Sequence, residues 1–251
     1  MKPYRVGIVF VHGIQGSSRQ FEHIIERLPK SVLVRNLTLP GHGATTKEFR
    51  SSRAEQWLDA VEKECIELEK QCEHIVYAAH SMGCLLGLMT HEKLKCFSGM
   101  LLLCCPFHIR FTWRCIKHAV LASLKNYKTD DPFIIAEREV SGVSAKYAAS
   151  YLLCARPFIE LLKLIRRAKR IRFAVPSDTL FCFSELDEIV DSKSMIHAQS
   201  QIDAKTKLLD DSGHNYFTEA AKAEIREAVL DMVEKMKAKE MPEELGITPP
   251  R

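Results

Sequence analysis

No stretch of this 251-residue chain approaches the roughly 18 to 20 consecutive apolar residues that a membrane-spanning helix requires, so no transmembrane segment is expected. A strong charge bias is also missing: 36 Lys and Arg stand against 32 Asp and Glu, a formal excess of +4. Nucleic-acid-binding domains neutralise many phosphates and show a stronger basic bias, which argues against such a partner. There is no CxxC pair and no Cys/His cluster at zinc-finger spacing, so a structural zinc site is not expected. The nine cysteines are odd in number and fall mostly in apolar runs. They fit small core residues in a reducing compartment better than a disulfide framework. The segment Met1-Lys2-Pro3-Tyr4-Arg5 runs into an apolar stretch without a small-residue cleavage pattern, and a cytoplasmic protein is expected. No internal repeat is found.

What the chain does have is alternation. The apolar run at 5–11 reads as a strand buried on both faces, and 31–37, 74–79, 99–104, 178–183 and 205–209 read as further strands. Between them, helical spacing is read at 17–28, from a Ser52/Glu55 capping box to about 72, at 82–94, near 192–199 and over 217–239. The tail with Pro242, Pro249 and Pro250 is expected to fray. The order predicts an α/β fold, a mostly parallel sheet with helices on both faces.

The pattern changes between Phe107 and Arg170, where no clear strand appears. This segment holds 13 Lys/Arg against 5 Asp/Glu, a net of +8, leaving 23 against 27 in the remainder, or −4. The division expected is an α/β core over 1–106 and 171–251, interrupted by a helical insertion at 107–170. Its charge suits ordinary solvated helix faces; attraction of an anionic substrate or peripheral contact with an anionic membrane are sharper readings. Phe111, Trp113, Phe133, Tyr147, Tyr151 and Phe158 are candidates to line an apolar pocket there.

In parallel sheets, sites lie at the carboxyl ends of strands, and four of the loops there carry chemistry. Ala79-His80-Ser81-Met82-Gly83 joins a strand to a helix with small residues around a serine, as a strained nucleophile elbow requires, although Ala79 stands where glycine is usual. An N-cap serine is the plainer alternative. Serine needs a base, and of ten histidines His214 is favoured because it follows the last strand. His80, beside the serine, is expected to point away. A carboxylate should orient that imidazole, and Asp187 follows a strand between the other two in chain order, with Glu185 and Glu188 as neighbouring rivals. Asp178 falls at the wrong sheet end. Backbone N–H donors for an oxyanion are expected from Met82, at a helix start, and from Ile14 in His12-Gly13-Ile14-Gln15-Gly16.

These segments, with Leu39-Pro40-Gly41-His42-Gly43, Val190 and Gly213-His214, make the chain resemble the α/β-hydrolase superfamily, in particular its serine carboxylesterase and monoacylglycerol lipase group. The resemblance spans most of the chain and implies hydrolysis of carboxylic esters without a cofactor. It implies that 107–170 is a cap forming a substrate pocket, with His12, Gly13, Phe107, Trp113 and Val190 as further substrate-binding candidates. The expected partner is a small-molecule ester. Acyl-CoA thioesterase is the enzymatic alternative, and a catalytically silent binding protein on the same fold is the alternative from another class.

Overall fold

The apolar runs become strands and the amphipathic stretches pack over them. The computed structural model describes residues 2–110, 112–124, 126–144 and 154–239. The strands are β1 (Tyr4–Val11), β2 (Leu33–Leu37), β3 (Ala44–Thr45), β4 (Cys72–His80), β5 (Gly99–Leu103), β6 (Val143–Ser144), β7 (Asp178–Ser184) and β8 (Lys205–Leu209). The helices are α1 (Glu22–Ile25), α2 (Thr46–Phe49), α3 (Ala54–Glu69), α4 (Met82–Leu94), α5 (Trp113–Ser123), α6 (Pro132–Val140), α7 (Ala155–Ala168), α8 (Lys193–Gln201) and α9 (Glu219–Ala238).

Six strands form one sheet in the order β2-β1-β4-β5-β7-β8, with every pairing parallel. Ile8, Val9, Phe10 and Val11 are all completely buried, as expected for a strand covered on both faces. Trp57, Val61, Cys65 and Leu68 of α3 repeat at helical spacing and form its buried face. The outer strand β8 instead exposes Lys205 and Lys207 and blunts the sheet edge with charge.

Several local expectations are corrected. The stretch 17–28 is a 3-10 turn (Ser18–Phe21) followed by the single turn of α1, because Phe21 leaves helical geometry (φ −114°, ψ 3°) to bury its ring 5.1 Å from that of Phe10. The start of α3 is closed one residue later than read, by Arg53 N–H donating to Gln56 Oε1 at 2.9 Å. Ser52 Oγ donates instead to the Phe49 carbonyl. The segment between Phe107 and Arg170 does contain a strand: β6 pairs with β3 as a separate two-stranded parallel ribbon. Gly142 N–H also donates to Gln15 O at 2.7 Å, and Ser17 Oγ to Val140 O at 2.9 Å. Leu161, Leu164, Ile165 and Ala168 of α7 join the main core, where α7 packs on α3 and α4. Phe111, Tyr147, Tyr151 and the proline-containing tail lie outside the described residues.

Candidate active site

The sheet order reverses at β1. The chain goes from β1 outward to β2, then crosses back to place β4 on β1's other side. The loops leaving β1 and β4 therefore diverge at their carboxyl ends, where parallel sheets open a crevice. Val11 pairs with Ala79 in register, which sets His12-Gly13-Ile14 beside His80-Ser81.

Ser81 sits at φ 50°, ψ −120°, a strained conformation for a residue with a side chain. The turn is held by Ser81 N–H donating to Leu103 O (2.8 Å) and Cys84 N–H donating to Ser81 O (2.9 Å). Its neighbours must be small. A Cβ on Gly83 would lie 2.3 Å from the Val11 carbonyl oxygen, and one on Gly13 would lie 2.9 Å from Ser81 Cβ. Met82 opens α4 directly behind the serine, so its N–H belongs to the first turn, which has no intrahelical acceptor.

Three side chains from three strand ends meet here. Ser81 Oγ lies 3.1 Å from His214 Nε2, and His214 Nδ1 lies 3.0 Å from Asp187 Oδ2. Asp187 Oδ1 accepts the N–H groups of Ile189 (2.8 Å) and Val190 (2.7 Å), which leaves Oδ2 aimed at the imidazole. Burial disfavours charge on both groups, but each compensates the other. The Asp187 carboxylate raises His214 well above 6.5, while the imidazole and the two N–H donors hold Asp187 below 3.8. In the neutral pair, Nδ1–H donates to Asp187 and Nε2 accepts from the Ser81 hydroxyl. Glu185 is turned away from this chain, because its Oε2 accepts Asp211 N–H.

A second set of groups holds these three. His12 accepts Leu39 N–H at Nε2 (3.1 Å) and donates from Nδ1 to Gly13 O (2.8 Å), joining the β1 loop to the Pro40-Gly41-His42 loop. Burial lowers His12 to about 4 and His42 to about 3, so both rings stay neutral near pH 7. Trp57 Nε1–H fixes the Pro40 carbonyl at 3.0 Å. His80 does not point away from the site. Its ring lies 4.7 Å from that of His214, and its Nε2–H donates to the His214 carbonyl at 2.8 Å. Glu188 accepts His214 N–H at 3.1 Å and so supports the histidine's backbone. Neither His80 nor Glu188 is picked out in these roles by sequence spacing.

A cavity of about 310 Å³ opens beside Ser81 and His214, walled mainly by apolar groups including Ile14, Ile109, Ile116, Val120, Phe158 and Leu161. Gly13, a substrate-binding candidate, lines it, and so does Ile14, the candidate oxyanion donor. The other substrate-binding candidates do not. His12 is fully buried and spends both ring nitrogens on backbone groups. Phe107 is also fully buried, its ring 6.2 Å from Phe181 and 4.3 Å from His197. Trp113 is 78% exposed on the outside of α5. Val190 is buried and meets Asp187 through its backbone. Phe133 packs under the Arg114 guanidinium, 4.2 Å from its ring centre. Gln20, Glu137 and Asn215 line the cavity without having been singled out in the sequence.

Among the described residues, one His/Cys group is close enough to share a cation: His80, Cys104 and His214, with one candidate atom of each within 4.8 Å of the others. Both His214 nitrogens already face Asp187 and Ser81, and His80 Nε2 is committed to a carbonyl. The group therefore belongs to the hydrogen-bonded site. No helix among the described residues is long and apolar enough to cross a membrane.

At the level of sequence, no curated protein matches the chain. Its fold is similar to that of solved structures at low identity. A structure of the metagenome-derived lipolytic enzymes LipS and LipT superposes with a TM-score of 0.66 at 18% identity, covering 93% of this chain and 95% of that one. A peroxisomal alpha-beta-hydrolase from Saccharomyces cerevisiae gives 0.65 at 14% identity, covering 98% and 82%. The monoacylglycerol lipase of Paleococcus ferrophilus gives 0.64 at 17%, covering 93% and 96%. The family model described as the alpha/beta hydrolase family matches residues 8–228, and with the six-stranded parallel sheet and its site at the β1/β4 crevice, the chain belongs to that family.

Proposed function

We propose that this hydrolase cleaves carboxylic esters through an acyl-enzyme on Ser81. The observation that carries the reading is the unbroken chain Ser81 Oγ–His214–Asp187 at 3.1 and 3.0 Å, opening onto an apolar cavity. In the first half-reaction Ser81 Oγ attacks the ester carbonyl as its proton passes to His214 Nε2. The N–H groups of Ile14 and Met82 hold the oxyanion, and the dipole of α4 adds to the field there. Collapse expels the alcohol, which takes the proton from His214. Water then gives a proton to His214 and attacks the acyl carbon, and collapse releases the acid as His214 returns the proton to the departing Ser81 Oγ. Asp187 keeps its charge throughout and stabilises the imidazolium.

Segment 107–170 acts in this reading as a cap, since α5, α6 and α7 all contribute cavity walls. A lipid surface is the docking partner we infer for the cap's outer face. Trp113, Ile116, Val120 and Leu124 form an exposed apolar stripe on and just past α5, Ile116 and Val120 also line the cavity, and the segment carries +8.

The test is Ser81→Ala with p-nitrophenyl acetate, together with mass-spectrometric mapping of a fluorophosphonate adduct. Turnover should fall by roughly 10⁴-fold or more, and the wild-type adduct should map to Ser81. Unchanged turnover in Ser81→Ala, or labelling elsewhere, overturns the mechanism. A folded wild-type protein that neither labels nor turns over would favour a binding role instead.

A further inference from the structure

The cavity beside Ser81 has mainly apolar walls, and the polar side chains that line it include Gln20, Glu137 and Asn215 as well as those around Ser81. Gln20 is only 7% exposed, and neither its Oε1 nor its Nε2 meets a hydrogen-bond partner among the described residues. A buried amide left without partners is unfavourable, and its persistence marks a place where a ligand can supply them. Glu137 Oε2 accepts the side-chain amide of Asn215, and Glu137 forms no salt bridge among the described residues. Burial pushes its carboxyl above the ordinary value of 4.5, against the opposing pull of the Asn215 amide and the His214 charge.

The two arginines of the same helices are committed elsewhere. Arg138, next to Glu137 on α6, directs its guanidinium to the carbonyls of Leu121, Ala122, Leu124 and Tyr127. Arg114 on α5 lies over the Phe133 ring. The cavity wall thus offers the Gln20 carbonyl oxygen, apolar surface and a carboxyl group that no Lys or Arg pairs among the described residues, with the His214 imidazole the cationic group that acts on it.

We propose that Gln20, Glu137 and Asn215 form a subsite for a primary ammonium group, so that the ester cleaved at Ser81 carries an amine at the end of an apolar chain. An ammonium has three donors and no acceptor, which matches the acceptors present and gives the Glu137 carboxylate a directly bonded cationic partner. The remaining apolar wall accommodates the methylene chain between amine and ester. Gln20 Nε2 stays available for an acceptor on the same ligand. The position of the subsite within a substrate rests on the reading of Ser81 as the nucleophile; its preference for a cation does not.

Calorimetric titration of the full chain, in wild type and in Ser81→Ala, separates the two. The probes are the α,ω-amino alcohols from three to six carbons, each paired with the n-alkanol in which methyl replaces the ammonium, and with the diol in which hydroxyl replaces it. At least one amino alcohol should bind about tenfold or more tightly than its alkanol and its diol, the gain expected of a charge-assisted hydrogen bond. Glu137→Gln keeps the shape and the Asn215 contact, and should remove that preference. If it does not fold, Gln20→Leu should reduce the same preference. Tighter binding of the alkanols or diols throughout the series, or a preference that survives the folded variants, overturns the subsite. Ammonium preference without p-nitrophenyl acetate turnover overturns the Ser81 mechanism alone, whereas turnover without preference overturns only the subsite.

Discussion

His80 Nε2–H donates to the main-chain carbonyl of His214 across 2.8 Å, so the residue preceding the serine holds the residue proposed as its base. Burial lowers His80 to about 3, so it remains a neutral donor across the working range. His80 is a positioning residue in this arrangement. His80→Ala should lower kcat for p-nitrophenyl acetate by roughly 10- to 100-fold with little change in KM, the scale of an outer-shell hydrogen bond. His80→Gln, which can donate to the same carbonyl, should recover much of the loss. Equal losses in both variants, or a change confined to KM, would count against this role.

The Asp187–His214 pair sets the pH profile. Deprotonated His214 is the form that accepts the serine proton, and Asp187 raises its pKa well above 6.5. The kcat/KM of a neutral ester should therefore rise on the alkaline side of 6.5. In Asp187→Asn, burial acts on His214 without its compensating carboxylate, so the limb should move to lower pH while the plateau falls by about 10⁴-fold. A limb that stays in place would sink the assignment of the titrating group. The same pair stabilises the fold as an ion pair. That contribution fades as pH rises through the raised His214 value, and again as pH falls through the Asp187 value, which lies below 3.8.

Gly87 shows two opposed effects in one substitution. Alanine in a helix interior is favoured over glycine by roughly 1 kcal/mol. At this position, however, a Cβ would lie 2.0 Å from the Tyr77 ring, which is fully buried and tied by its hydroxyl to Gly83 O at 2.8 Å. Overpacking costs about 1–3 kcal/mol and more when the neighbour cannot move, so Gly87→Ala should lower stability in urea denaturation. An increase in the unfolding midpoint would show that Tyr77 yields.

The exposed stripe on α5 is testable by sedimentation with vesicles of mixed neutral and anionic phospholipid. Wild type should co-sediment, and less so at high salt, while Trp113→Ser together with Val120→Ser should weaken binding. Equal recovery of wild type and variant in the supernatant would remove the lipid-surface reading.

Much of the scaffold was legible because most of its strands are short and rich in apolar residues, as at 99–103, or are bounded by polar turn residues, as at 205–209 before Asp210. Ser81, Asp187 and His214 could be placed at strand ends by the same alternation, and they are found within hydrogen-bond reach of one another. The losses have local causes. Two-residue strands such as Val143–Ser144 are too short to show any period. Phe107 and Trp113 look alike as aromatics near a site, yet one is in the core and the other faces outward, because side-chain direction at a loop-to-helix junction follows no period. Glu137, an acid in mid-helix, reads as a solvated residue, and only its tertiary neighbours place it at the cavity.

The ribbon of β3 with β6, and the bond from Gly142 N–H to Gln15 O, join the cap's backbone to the loops that flank Ile14. A cap swinging away as a rigid flap would pull on the loop proposed to hold the oxyanion. Entry to the cavity and competence for chemistry would then be mechanically linked, with the ribbon anchoring the loop whose Ile14 amide is proposed to face Ser81.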